Sequence, residues 1–149
     1  MSVLEETNRW FQVAVPAPDT KNIRAQFAAH VEEFNELLVE VHTNDHTLLT
    51  LINAAEKNLA DVIKRLRSIE AEVALGFPNR VNTLDAICDG LVTGAGLAHM
   101  LNMDVIGGLE EVNRSNFSKF DDDGMPIFNE SNKIIKGENY TPPDLTSFV

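Results

Sequence analysis

The chain is poor in cysteine, in bases and in long apolar runs. Cys88 is its one cysteine in 149 residues, so no disulfide closes within it, and a reducing, cytoplasmic setting is expected. No stretch approaches the roughly 18–20 consecutive apolar residues that a membrane helix needs, so no membrane partner is expected. The segment from Met1 to Trp10 carries Glu5 and Glu6 and no apolar run, and no signal peptide is expected there. Twelve Lys and Arg stand against 23 Asp and Glu, a formal net charge of −11. Such a surface repels a polyanion, which argues against a nucleic acid polymer as partner. There is no internal repeat and no low-complexity tract. What is present is an apolar fraction of 44%, near the globular average and enough for one domain over residues 1–149 with its own core. If so acidic a chain handles phosphates, it needs a bound metal, a local basic patch or both.

The punctuation divides the chain into helical segments. Residues 1–20 read as a short amphipathic opening that carries Trp10 and Phe11 and is stopped by Pro16-Ala-Pro18, with Asp19 or Thr20 as the next N-cap. From about Lys21 to Thr43, Ile23, Phe27, Val31, Phe34, Leu38 and Val41 recur at three- and four-residue steps, which predicts one helix with one apolar stripe. Asn44-Asp45 breaks this pattern. A second long helix follows from about Thr47 to Leu75, its Lys57, Lys64, Arg65 and Arg67 read as part of a solvated charged face. Gly76-Phe-Pro78-Asn79 is a stop. The third helix, about Val81 to Leu101, is apolar nearly all round, so it is expected to be buried. Its Gly90, Gly94 and Gly96 suggest close helix approach, since each costs roughly 1 kcal/mol against alanine. A fourth runs from about Val105 to Ser115. Beyond Lys119, Pro126–Phe128 and Lys133–Ile135 are expected to pair as a small β-hairpin, followed by an extended tail through Tyr140-Thr-Pro-Pro143. The expected fold is all-α: a bundle of four to five helices with a small C-terminal hairpin over 120–149.

Two acidic groups carry the candidate chemistry. Glu32, Glu33 and Glu36 lie three and four residues apart on the first long helix, which sets like charges on one face. Asp85 and Asp89 are one turn apart on the otherwise apolar third helix, which has no base beside them to neutralise them. The simplest account packs these helices together, so that the carboxylates form an oxygen-lined site for a hard divalent cation. The basic patch that phosphate handling requires is best met by Arg114-Ser115-Asn116-Phe117-Ser118-Lys119, with Lys133, Lys136 and Gly137 following.

These segments resemble the all-α NTP pyrophosphatase superfamily, which includes the MazG-like enzymes and the phosphoribosyl-ATP pyrophosphohydrolases. Its signature is Glu-x-x-Glu on one helix and Glu-x-x-Asp on a later one. Glu33-Phe-Asn-Glu36 matches the first half, with Glu32 as an extra acid before it. Asn82-Thr-Leu-Asp85 matches the second half at the aspartate but carries Asn82 where glutamate is expected, and Asp89 lies one turn further on. Glu111–Lys119, Asp123–Phe128 and Lys136–Leu145 resemble phage-encoded members of the phosphoribosyl-ATP pyrophosphohydrolase type. The resemblance covers the chain except residues 44–76, which read as an insertion.

The resemblance implies an Mg²⁺-dependent hydrolase, with Mn²⁺ able to substitute, that cleaves a (d)NTP to the monophosphate and pyrophosphate. It implies a bacterial or phage origin and a homodimer or homotetramer. Glu33, Glu36, Asp85 and Asp89 would hold metal, and Glu32, Glu33, Glu36 and Asp85 would serve catalysis. Arg114, Ser115, Asn116, Lys119, Lys136, Asn82 and Trp10 would meet substrate. The base is not legible: dGTP, dUTP and dCTP all remain open. So does a catalytically inactive nucleotide-binding protein of the same fold, for which Asn82 is the best support. Three features are set aside. The turn Asp121–Gly124 fails as a Ca²⁺ loop because Lys119 occupies its first position. His42 and His46 lack a third zinc-type ligand nearby. Cys88 reads as core packing.

Overall fold

The computed structural model describes residues 1–68, 73–128 and 134–149. It is all-helical: α1 (Val3–Ala14), α2 (Thr20–Val39), α3 (His46–Arg67), α4 (Arg80–Met100), α5 (Val105–Phe117) and a final 3-10 turn (Thr146–Phe148). The chain divides into two compact units. One contains Met1–Pro16 with Phe77–Val149, the other Ala17–Gly76.

Each α-helix starts on a side chain suited to satisfy its free amides. Ser2 and Glu5 form a capping box for α1, and Asp19 and Asn22 form one for α2. Asp45 accepts from the amides of Thr47 and Leu48, Asn79 from that of Asn82, and Asp104 from that of Gly107. Helix ends depart further from expectation. α2 stops at Val39 rather than Thr43, and Thr43 Oγ1 then accepts from the Asp45 amide ahead of α3. α3 stops at Arg67 rather than Leu75, and Ser68 turns to extended backbone (φ −65°, ψ 123°). Lys64, Arg65 and Arg67 in its last turn suit the negative end of the helix dipole.

The unit Ala17–Gly76 is a helical hairpin in which α2 packs on α3. Ala28 on α2 and Ile63 and Leu66 on α3 are buried there among the described residues. The packed side of α2 lies round the helix from the centre of the expected stripe. Glu32 and Asn35 are half-buried, whereas Phe34 is 55% exposed and Ile23 and Val41 are also exposed. A pair of helices covers one side of each member, so part of a broad apolar stripe is left outward.

In the other unit α1 lies on α5. Asn113 is buried and joins them: its Oδ1 accepts from Thr7 Oγ1 (2.9 Å) and its Nδ2 donates to the Val3 carbonyl (3.0 Å). Trp10 lies parallel to Phe120 with ring centroids 5.7 Å apart, and its Nε1 donates to the Asn116 carbonyl (2.9 Å). Asn102, at φ 60°, ends α4 in the left-handed conformation that asparagine tolerates, and α5 leaves at a bend of 117°. Among the described residues α5 is the one element that α4 meets, so burial stops near that corner. The expectation that this helix is buried is therefore corrected: α4 has no buried residue, with Ile87 50% and Val92 70% exposed, and Cys88 is exposed rather than packed in a core.

The expected C-terminal β-hairpin is also corrected. Among the described residues no strand forms; the segments meet through isolated antiparallel bridges, Phe120 with Pro126 and Phe128 with Ile134. Pro126 has no amide hydrogen to extend a ladder. The intended turn and Lys133 lie outside the described residues. The tail instead returns along α5. At Gly107 a Cβ would lie 2.7 Å from the Phe148 ring, so glycine is what lets that ring settle on the helix.

Candidate functional site

In the hairpin unit, a groove of about 630 Å³ runs between α2 and α3. Glu32, Asn35 and Glu36 line it from α2, at the spacing that puts them on one helical face; Lys64 and Arg67 line it from α3, with Ser68 beyond. Arg67 holds Glu32 through both terminal nitrogens, Nη1 on Oε1 at 2.7 Å and Nη2 on Oε2. This raises the Arg67 pKa above its ordinary value, against partial desolvation. Both partners are partly exposed, so the pair contributes about 0–1 kcal/mol of stability. The Asn35 Oδ1 atom is buried and accepts no hydrogen bond among the described residues. Glu33 is exposed, about 100° round the helix from Glu32, and is not one of the lining residues. The carboxylate oxygens of Glu32 and Glu36, with the Asn35 amide oxygen, are hard donors of the kind that Mg²⁺ and Mn²⁺ take.

The second acidic group lies on α4, in the other unit. Asp85 and Asp89 are exposed and one turn apart, and Asn82 is exposed in the first turn. Their donor chemistry likewise suits a hard cation. Among the described residues no three Asp, Glu, His or Cys side chains come together as a metal-binding group.

The basic segment at the end of α5 divides into two roles. Arg114 faces the tail. Its Nε and Nη2 donate to the two carboxylate oxygens of Glu111 (2.7 Å each), Nη1 donates to Thr141 Oγ1, and Nη2 also reaches the Pro142 carbonyl (3.0 Å). Glu111 in turn accepts from the Asp144 amide (3.0 Å). The Arg114 bonds, then that amide, hold the Glu111 carboxyl down at about 2. Ser118 Oγ accepts from the Thr141 amide (3.0 Å), while Ser115 is buried at 3% exposure.

Lys119 turns the other way. Its ammonium donates to Asn116 Oδ1 (2.8 Å) and lies 5.9 Å from the centre of the Trp10 ring. Burial lowers its pKa; the Tyr140 phenol acts against that and the Lys136 charge adds to it, so both groups are within electrostatic reach. Lys136 places its ammonium 4.4 Å from the centre of the Tyr140 ring. Neither lysine has an ion-pair partner among the described residues.

The structure thus gathers Glu32 with Glu36, Asp85 with Asp89, and Trp10 with Asn116 and Lys119, beside which the segment carrying Lys136 passes. Lys64, Arg67 and Tyr140 join these groups without having been singled out as site residues in the sequence. The usable signal for the first two was their three-residue spacing beside Ile63 and Leu66, which sets them at the edge of a packed stripe. No protein-family model, no curated protein and no solved structure matches the chain.

Proposed function

We propose that the chain is a nucleoside triphosphate pyrophosphohydrolase, converting a (d)NTP and water to the (d)NMP and pyrophosphate. The observation that carries this reading is the α2–α3 groove, whose walls set Glu32 and Glu36 on one side and Lys64 and Arg67 on the other. Carboxylates and cations facing across one groove suit a ligand that is itself an anion carried with a cation. The motif resemblance supplies the reaction class.

By the motif resemblance, Glu33 and Glu36 in one unit, and Asp85 and Asp89 in the other, are each candidate holders of Mg²⁺, or of Mn²⁺ in its place, and the ion when bound would supply charge neutralisation at the phosphates. Glu32 accepts the proton of the attacking water once it leaves Arg67, which acts as its positioning partner. Water attacks the α-phosphorus, the bond from that phosphorus to the α–β bridging oxygen breaks, and pyrophosphate leaves with that oxygen. Lys119, supported by Asn116, and Lys136 are the cations of the other unit whose chemistry suits pyrophosphate. Arg114 contributes by fixing the tail, and Trp10 by packing on Phe120. A homodimer or homotetramer belongs to the same reading, supported by the exposed apolar surface of α4.

The test is pyrophosphate release across the common NTPs and dNTPs with Mg²⁺, beside Glu36→Gln. The variant is expected to keep its helical circular dichroism and to lower kcat at least about 100-fold. Wild-type turnover in Glu36→Gln would remove the groove from the mechanism. A second reading, an inactive nucleotide-binding protein, is favoured by Asn82 and by the engagement of Glu32 with Arg67. It expects nucleotide binding with no pyrophosphate release.

A further inference from the structure

Lys119 and Lys136 stand on segments that meet, a Cβ on Gly137 lying 3.6 Å from the Lys119 carbonyl oxygen, in a chain of net charge −11, and neither has a carboxylate to pair with among the described residues. Like charges on adjoining segments repel, and burial of the Lys119 stem adds a cost of its own. The fold nevertheless secures both. Lys119 is fixed from α5 by Asn116 and the Trp10 ring. Lys136 comes from the returning segment and lies over Tyr140. That segment is tied on both sides: Asn139 Nδ2 donates to Asp122 Oδ1 (2.7 Å), the Tyr140 amide donates to the Gly137 carbonyl (3.2 Å), and Thr141 is held by Arg114 and Ser118. At Gly137 the backbone passes so close that a Cβ would lie 2.7 Å from Ile127 Cδ1. Two lysines and a tyrosine, whose side chains all end in hydrogen-bond donors, are thereby carried on adjoining and well-tied segments.

We infer that Lys119, Lys136 and Tyr140 form an oxyanion site that binds inorganic pyrophosphate without a metal ion, with the C-terminal segment supplying half of it. This deepens the proposed function by giving the product a site of its own, and it rests on that reading only for the class of ligand. Arg114 is a positioning residue here: it holds Thr141 and Pro142, and through them the register of Tyr140 and Lys136, without reaching the anion itself. The consequence is retention of product, so that pyrophosphate inhibits by occupying this site.

The experiment is calorimetric titration of inorganic pyrophosphate into the full chain in EDTA, with no nucleotide. Wild type is expected to bind. Lys119→Met and Lys136→Met are each expected to weaken binding about tenfold or more, and Tyr140→Phe by a smaller factor, in line with loss of a charge-assisted and of a neutral hydrogen bond. Raising NaCl from about 50 to about 200 mM is expected to weaken wild-type binding, since the attraction is between partly exposed charges. That measurement does not depend on how well any variant folds. No binding at millimolar pyrophosphate, binding that requires Mg²⁺, insensitivity to salt, or wild-type affinity in both lysine variants would overturn the inference. Pyrophosphate release from an NTP together with no metal-free pyrophosphate binding sinks this inference alone; metal-free binding with no release from any NTP supports it and sinks the proposed function.

Discussion

Asn113 shows how much one side chain can decide. It is 1% exposed, and a buried carboxamide without partners would be a liability. Here both ends are used, the oxygen by Thr7 and the nitrogen by the Val3 carbonyl, so the residue fastens the first turn of α1 to the middle of α5. Asn113→Ala removes both bonds and leaves Thr7 Oγ1 and the Val3 carbonyl only each other (3.1 Å), and it is expected to destabilise this unit by about 1–3 kcal/mol, read as a lower denaturant midpoint at unchanged slope. An unaltered midpoint would mean that water replaces both bonds without loss. Arg114, next in sequence, is exposed and faces the tail, and Ser115 after it is buried. Three successive residues of one helix thus serve three surroundings, because each step turns the helix by about 100°.

At the scale of elements, the tail and α5 behave as a strap on a rod. Glu111 receives Arg114 on one side and the Asp144 amide on the other, and Phe148 lies on Gly107. The Glu111 carboxyl is depressed from its ordinary value of 4.5 to about 2. A group with a lowered folded pKa favours the docked state above its ordinary value, and that contribution is lost as pH falls through the folded one. Docking of the strap should therefore weaken between pH 4.5 and about 2, reported by the Asp144 amide resonance. An amide that does not move across that window would show that Glu111 is not what holds the strap.

For the whole chain, the distribution of exposed apolar surface matters more than its amount. α4 carries Leu84, Ile87, Leu91 and Val92 in the open, with no buried residue along its 21 positions. Single exposed apolar side chains are ordinary, whereas a continuous run of them marks a surface that associates. If α4 joins copies of the chain, wild type should sediment as a dimer or tetramer, and Leu91→Glu should shift it toward monomer. A monomer at every concentration, or an oligomer untouched by the charge, would remove α4 from assembly.

The helical content and the helix starts were legible in the sequence because they are local. Ser2, Asp19, Asp45, Asn79 and Asp104 each lie within a few residues of the amides they cap, and periodicity needs no knowledge of distant neighbours. The pairing of Glu32 with Glu36 and of Asp85 with Asp89 on common helix faces was legible for the same reason. Helix ends were less so: α3 yields to extended backbone at Ser68 although apolar periodicity continues to Val73. What only tertiary structure decided was choice of partner. It turned Glu32 and Asn35 toward α3 and left Phe34 outward, gave Arg67 to Glu32 across 35 positions, and gave Arg114 to a tail 27 positions on. It also brought the backbone beside Lys136 against that of Lys119 and left α4 uncovered within its unit. Each of these depends on which surfaces meet in space, and a pattern with a period of 3.6 residues carries the direction of a side chain from its own axis but not the identity of what stands opposite.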